Sequence, residues 1–220
     1  MAKKFSLDIP HVEELLRLVQ KNFDKINDTL HMRREKLDDV ILLNMLDGYT
    51  YLNKLLIHEI NPLDQYELNH LLELNHIVLC GTDPVKRKDY REHITATTDR
   101  FYRQEEFSIS HIRAWLKKHK KDTDWKKAAG VYVMLISRPQ LFFEGNHRTG
   151  ALLMSHMLVQ SGRPPFVLTI DNAKGYFDPS TLAKETKKDV FGKLYKLPKI
   201  KKNFALFLEG QANYELLVEK

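Results

Sequence analysis

Apolar side chains recur every three or four residues along most of this chain, and this spacing constrains the fold more than any other feature. The period is that of one face of an amphipathic α-helix. Near the N-terminus such a face comprises Val12, Leu15, Leu16, Val19, Phe23, Ile26 and Leu30. After a charged break at residues 33–36, a second run over residues 37–60 is apolar on more than one face. We expect this run to form a central helix that ends before Pro62, because proline disfavours helix in the residue preceding it.

The same reasoning predicts further helices, at residues 64–79, 108–118, 124–137, 148–160, 179–188 and 200–209. Between residues 81 and 106 the helical period is lost. The run Ile94-Thr95-Ala96-Thr97-Thr98 is rich in β-branched residues, which favour extended structure. Asp99 and Arg100 can turn the chain back, so we predict a short exposed β-hairpin over residues 94–101.

The predicted fold class is therefore all-α, with a short β-hairpin before the core helices. We expect an N-terminal helical hairpin at residues 1–62, a core at residues 63–178 and a lysine-rich helical tail at residues 179–220. The sequence shows no internal repeat and no low-complexity linker. We therefore expect these three parts to form one unit.

Composition excludes several classes of protein. The single cysteine, Cys80, excludes a disulfide framework and a multi-cysteine zinc site. The longest apolar run, residues 128–136, has nine residues, whereas a membrane-spanning helix needs about 20. The N-terminus lacks the apolar core of a signal peptide before its first acid and proline. We expect a cytoplasmic protein with no membrane partner.

The net charge of +6, from 35 basic and 29 acidic residues, is locally concentrated. Eight lysines lie within residues 184–202, and a second basic group occupies residues 117–121. A solvated helix face or loop is the ordinary explanation for such groups. An anionic partner, either nucleic acid or an acidic protein, is the alternative, because a basic surface attracts anions.

Residues 141–150, Leu-Phe-Phe-Glu-Gly-Asn-His-Arg-Thr-Gly, combine a loop with the predicted start of a helix. The first N–H groups of a helix lack internal partners and favour negative charge. Gly145 permits a backbone conformation that a side chain would resist, and Arg148 offers a planar guanidinium to phosphate oxygens. Asn146 can cap the helix or donate its amide to a ligand. Glu144 is either a solvated loop acid or a ligand for Mg²⁺ that arrives with phosphates.

The order and spacing of these residues resemble the core motif of Fic proteins, His-x-Phe-x-(Asp/Glu)-Gly-Asn-Gly-Arg-x-x-Arg. The matching positions are Phe142, Glu144, Gly145, Asn146 and Arg148. The similarity extends over residues 68–169, with Gly162-Arg163-Pro164-Pro165 as a further matching flank.

The resemblance implies a fold, an activity and a site. Fic proteins are α-helical, bind ATP or another phosphate-linked nucleotide with Mg²⁺, and transfer AMP to a protein hydroxyl. It implies Mg²⁺ at Glu144 and a nucleotide held by Gly145, Asn146, His147 and Arg148. It also implies a target-docking flap, at Ile94, Thr95, Ala96 and Thr97, which binds a protein by adding a strand.

Three positions depart from the motif. Gln140 stands where the family has its catalytic histidine, the general base that accepts the proton of the target hydroxyl. A glutamine amide is not a useful base, and general-base catalysis typically contributes about 10²–10⁴-fold. Ala151 replaces a second arginine that contacts the γ-phosphate, and His147 replaces the second glycine, which is a lysine in the phosphoryl-transferring Doc branch. His147 is the nearest substitute base, because the dipole at a helix N-terminus keeps a histidine neutral.

Two functions remain open on these grounds. The first is an altered or impaired transferase that moves AMP, or a related phosphate-linked group, to a protein hydroxyl. The second is a catalytically inactive Fic-fold module that binds a protein partner through the flap. A weaker third interpretation is a nucleic-acid-binding factor that uses the lysines of residues 184–202.

Overall fold

Helices make up most of this protein. The computed structural model describes residues 4–103, 107–186, 188 and 196–219. In this part of the chain there are eleven α-helices: α1 (Ile9–Lys21), α2 (Phe23–Thr29), α3 (Asp39–Ile57), α4 (Leu68–Cys80), α5 (Pro84–Asp89), α6 (Arg91–Arg103), α7 (Ile109–Lys118), α8 (Asp124–Ile136), α9 (Asn146–Gln160), α10 (Ala173–Glu185) and α11 (Leu197–Gly210). Strands β1 (Phe5–Leu7) and β2 (Leu217–Glu219) pair antiparallel, with Phe5 opposite Glu219. The all-α fold class is confirmed.

Helix α8 lies among four other helices. The Thr123 side chain caps its start by accepting the Lys126 N–H. Every residue from Ala128 to Ile136 is buried, so a helix this apolar must be covered on all sides. The covering helices are α7, α9, α10 and α11. None of the described helices is both long and apolar enough to cross a lipid bilayer.

Helix α9 packs closely on α8 and places its N-terminus beside the middle of that helix. Gly150 allows the close approach, because a Cβ there would lie 2.9 Å from the Tyr132 ring. On its other side α9 contacts α3 and α4. Leu42 of α3, Leu74 of α4 and Leu152 of α9 belong to one apolar core. The central helix predicted over residues 37–60 is therefore found as α3.

Several helix ends differ from the prediction. The first predicted helix is interrupted at Asn22, whose side-chain amide donates to the Leu18 carbonyl at 2.9 Å. An asparagine that bonds to its own backbone in this way competes with the helix. Helix α3 begins only after Asp38, whose carboxylate accepts the Ile41 N–H. Helix α10 begins earlier than predicted and contains Pro179.

The predicted β-hairpin at residues 94–101 is wrong, because these residues lie in α6. Ile94, Thr97 and Phe101 recur at helical spacing, and Thr97 and Phe101 are buried. The Thr98 hydroxyl donates back to the Ile94 carbonyl at 2.8 Å. The Phe101 ring stacks on Phe142 of the motif loop, with centroids 5.6 Å apart. Burial of this face outweighs β-branched propensity, which is a weak preference.

Candidate functional site

Two side-chain amides hold the loop that precedes α9. The Asn146 Oδ1 accepts the Phe142 N–H at 3.0 Å, and its Nδ2 donates to the Phe142 carbonyl at 2.8 Å. Gln140 donates from Nε2 to the Ile136 carbonyl at 2.8 Å, and its Oε1 accepts from Asn146 Nδ2 at 3.5 Å. Asn146 is buried. Both amides are therefore engaged in fixing the loop.

Gly145 lies where the loop enters α9. Its φ is +72°, in the left-handed region that favours glycine. A Cβ at this position would lie 2.8 Å from Nδ2 of Asn75 on α4. That amide donates to the Glu144 carbonyl and to the Thr149 hydroxyl, both at 3.0 Å. Helix α4 thus clamps the loop through Asn75, which no sequence motif indicated.

Three backbone N–H groups at the start of α9 are unpaired among the described residues. The first bond of the helix runs from the Thr149 N–H to the Gly145 carbonyl at 2.8 Å. Within the described residues, the N–H groups of Asn146, His147 and Arg148 donate no hydrogen bond. Unpaired N–H groups at a helix N-terminus favour an anion.

A chain of hydroxyl groups sets the tautomer of His147. The Ser180 hydroxyl donates to the Tyr176 carbonyl at 2.5 Å, so it accepts from the Tyr132 hydroxyl at 2.7 Å. The Tyr132 oxygen in turn accepts from His147 Nδ1 at 3.2 Å. His147 therefore carries its proton on Nδ1. Its Nε2 is buried, has no partner among the described residues and keeps its lone pair.

The environment of His147 also sets its charge. Burial lowers the pKa of His147 to about 3, and the positive charges of Arg34 and Lys184 act in the same direction. The imidazole is therefore neutral at pH 7. Such a ring has the free lone pair of a general base, but burial and, to a lesser extent, the neighbouring positive charges oppose its protonation, and an anion offsets only the second effect.

A cavity of about 440 Å³ opens beside the start of α9, and we call it the α9 cavity. Helix α9 contributes His147, Arg148 and Ala151 to its wall. The remaining wall comes from α1–α3, α10 and the segments between them, and includes Met32, Arg34, Glu35, Leu37, Tyr49, Phe166, Tyr176, Phe177 and Lys184. Ala151, at the position of the second arginine of the motif, thus lies on the same wall as the basic groups.

Arg34 is a site residue that the sequence motif did not predict. Its Nη2 donates to the Phe177 carbonyl at 2.9 Å and to the Thr181 hydroxyl. Its guanidinium lies 5.2 Å from the Phe177 ring centroid. Its Nε is buried and has no partner within the described residues. In the sequence, only the charged break at residues 33–36 indicated that this segment could supply a guanidinium to the site.

Arg148 and Glu144 lie near each other at the start of α9. Arg148 Nη1 donates to the Val78 carbonyl at 2.6 Å. Burial lowers the pKa of Arg148, and the negative charges of Glu35 and Glu144 oppose that shift. An arginine stays protonated even so. The site therefore holds a partly buried permanent cation.

Glu144 is the one motif residue that can serve as a metal ligand. The described residues contain no group of three or more His, Cys, Asp or Glu side chains that could hold a metal ion. Glu144 is exposed and so offers a single free carboxylate. This fits Mg²⁺, which uses one or two carboxylates and takes its other ligands from substrate phosphates and water.

The predicted docking flap is not a strand. Ile94, Thr95, Ala96 and Thr97 all lie in α6, whose backbone groups are used within the helix. Arg100 of α6 donates from Nη2 to the Gln140 carbonyl at 3.2 Å, and its guanidinium lies 4.6 Å from the Phe143 ring centroid. Strand addition needs an unpaired strand edge. The prediction that these residues dock a target by strand addition is therefore wrong.

Comparisons with known proteins assign no family: no family model matches the chain, and no curated protein matches it.

Proposed function

We propose that this protein binds a phosphate-linked nucleotide in the α9 cavity and transfers its AMP group to an acceptor hydroxyl. ATP is the reference ligand, as the resemblance to Fic proteins implies. One observation carries the proposal: His147, Arg148, Arg34 and Lys184 line a single cavity whose other walls are largely apolar. The cationic Arg148, Arg34 and Lys184 suit the phosphates, and an apolar wall suits the base.

Arg34 takes the place of the missing second arginine in this proposal. Ala151 cannot contact a phosphate, yet Arg34 lines the same cavity and has an unpaired, buried Nε. A buried unpaired donor is costly, so an anion that accepts from it is favoured. Arg148 and the free N–H groups of α9 would bind the phosphates closer to the reacting phosphorus.

The transfer step assigns His147 as the base. The acceptor oxygen forms a bond to the α-phosphorus, the bond from that phosphorus to pyrophosphate breaks, and the hydroxyl proton goes to His147 Nε2. Glu144 lies just before α9 and outside the cavity wall, so Mg²⁺ held there would neutralise phosphate charge only at the edge of the cavity. The polyphosphate itself offsets the positive charges of Arg34 and Lys184. The pKa of His147 is therefore higher with nucleotide bound than without it.

Calorimetric titration with ATP and Mg²⁺ tests the binding half of the proposal. We expect saturable binding that Arg148→Ala and Arg34→Ala each weaken by about tenfold or more, because each removes a charge-assisted contact to phosphate. The control is Arg17→Ala. Arg17 is exposed, pairs with Glu13 and lies outside the cavity wall. Absent binding at millimolar ATP, or equal effects of all three changes, contradicts the proposal.

Transfer of label from α-labelled ATP to protein tests the chemical half. His147→Asn keeps a donor for the Tyr132 hydroxyl but removes the base. We expect unchanged ATP affinity and a loss of transfer of about 10²–10⁴-fold. Transfer that persists in this variant excludes His147 as the base.

Gln140→His separates a weak catalyst from an inactive protein. A histidine there restores the motif base, so transfer should increase if the α9 cavity holds nucleotide productively. A protein that binds ATP and transfers nothing, even with this change, is a nucleotide-binding module and not a transferase.

A further inference from the structure

A second cavity, of about 730 Å³, lies between α7 and the first turns of α11, and we call it the lysine cavity. It shares no lining residue with the α9 cavity. Its wall includes Trp115, Lys118 and His119 on one side and Lys188, Lys201 and Lys202 on the other. The two basic groups of the sequence, at residues 117–121 and 184–202, therefore meet at this cavity. Residues 187 and 189–195 of the second group lie outside the described residues.

The charge of the lysine cavity is strongly positive. Five lysines line it: Lys118, Lys126, Lys188, Lys201 and Lys202. Asp122 is the single acidic residue among the described residues of its wall. Lys188 is held in place, because its ammonium donates to the carbonyls of Ser137 and Pro139. An excess of fixed positive charge around one concave surface favours an anionic ligand.

Lys201 is less exposed than Lys118, Lys126 and Lys202. Its Nζ lies 4.4 Å from the Trp115 ring centroid, and it has no hydrogen bond or ion pair among the described residues. Burial lowers the pKa of Lys201 to about 8. A cation that has lost water and has no acid partner within the described ranges is destabilising, and an anion in the cavity would relieve that cost.

Aromatic planes line the same cavity. The His119 ring stacks on Trp115 with centroids 4.2 Å apart and an interplanar angle of 21°. His111 stacks on Phe107 with centroids 5.7 Å apart, and all four of these rings belong to the wall. A planar ring binds such surfaces by stacking, whereas an acidic peptide uses only the charges.

We propose that the lysine cavity binds a nucleotide unit, with its base against the His119 ring, which itself stacks on Trp115, and its phosphate at Lys201. This inference does not depend on the transferase proposal, which concerns a different cavity. The nucleotide unit is either a free mononucleotide or one residue of a single-stranded nucleic acid. In both, one sugar joins an aromatic base to a phosphate.

Fluorescence of Trp115 provides a local readout. The chain has two tryptophans, so the Trp125→Phe variant leaves Trp115 as the sole indole. We expect AMP, without metal, to quench it saturably. Adenosine lacks the phosphate and ribose 5-phosphate lacks the ring, so each should bind at least about tenfold more weakly than AMP.

Lys201→Met, in the Trp125→Phe background, tests the phosphate contact. It keeps an unbranched apolar stem beside Trp115 and removes only the charge. We expect the dissociation constant for AMP to rise about tenfold or more. The matched control is Lys199→Met, which removes the same charge from an exposed position of α11 outside the cavity wall and should change affinity less than about twofold. Far-ultraviolet circular dichroism checks that both variants fold.

Two further measurements identify the source of the ligand and separate this proposal from the transferase proposal. Arg148→Ala must leave the Trp115 signal unchanged. Preference for a short oligoadenylate over AMP, with affinity that falls steeply with salt, identifies single-stranded nucleic acid as the source. Preference for AMP identifies a free nucleotide. The proposal is overturned if neither ligand quenches Trp115 at millimolar concentration, or if Lys199→Met weakens binding as much as Lys201→Met.

Discussion

Gly145 and Asn146 stabilise the loop before α9 in different ways. Asn146 bonds twice to the backbone of Phe142, so it fixes the loop through its side chain. Gly145 acts through its lack of a side chain, since its φ is +72° and Asn75 fills the space where a Cβ would lie. Both residues are needed for the free N–H groups of α9 to be held at the end of the loop.

Gly145→Ala should destabilise the protein and weaken ATP binding together. The left-handed conformation costs a non-glycine residue about 1–2 kcal/mol, and the clash with Asn75 adds to that cost. Urea unfolding measures the loss. The control is Gly210→Ala, at the end of α11, where a Cβ would meet nothing within 4 Å. That change should alter stability by less than about 1 kcal/mol, and equal losses in both variants would contradict the role assigned to Gly145.

Helix α6 shows how a neighbouring element decides local conformation. Its β-branched residues favour a strand when each is considered alone. In the protein, Phe101 stacks on Phe142 and Arg100 contacts both Gln140 and Phe143 of the motif loop. In a strand the side chains of these two adjacent residues would point to opposite faces, whereas a helix can direct both toward the same loop. Helix α6 therefore packs against the motif loop and offers no strand edge to a partner.

Phe101→Ala should destabilise the protein by about 3–5 kcal/mol, because it removes a buried aromatic ring and leaves a cavity. The neighbouring Tyr102→Ala is the control, because Tyr102 is 53% exposed, and we expect it to cost less than about 1 kcal/mol. Unfolding by urea compares the two variants. Equal losses in the two variants would contradict the packing of Phe101 against Phe142.

At the scale of the whole molecule, tertiary contacts bury two histidines of α9. His147 contacts Tyr132, and His156 donates from Nε2 to the Ile60 carbonyl at 3.0 Å. Burial lowers the pKa of His156 to about 4, with the bond to Ile60 opposing the shift, and lowers that of His147 to about 3. Below pH 6.5 the unfolded chain therefore binds more protons than the folded protein, and stability falls as the pH is lowered toward those values.

The loss of unfolding free energy at low pH should be smaller in His156→Gln than in the wild type. Between pH 6.5 and pH 5 each of the two buried histidines should cost about 2 kcal/mol of unfolding free energy. Glutamine can still donate to the Ile60 carbonyl and does not titrate, so the variant should lose about 2 kcal/mol less than the wild type over this range. The control is His58→Gln, at an exposed position. Urea unfolding at both pH values measures the difference, and an identical pH dependence of the three proteins would contradict the prediction.

What the sequence alone determined is local. Helical period, capping residues such as Thr123 and the left-handed preference of Gly145 act within a few residues of chain, so the all-α class and the helix start near Asn146 could be predicted. The positions of Arg148 and His147 at that start follow from the same local rules.

What only the tertiary structure decided depends on residues far apart in the chain. Arg34 lines the α9 cavity because the segment after α2 packs against α10, where the Phe177 carbonyl accepts from the guanidinium. Residues 94–101 are helical because Phe142 covers one face of α6. Lys201 meets Trp115 because α7 and α11 both pack on α8. Contacts between distant segments leave no periodic signal in the sequence, whereas burial and charge in the folded protein depend on them directly.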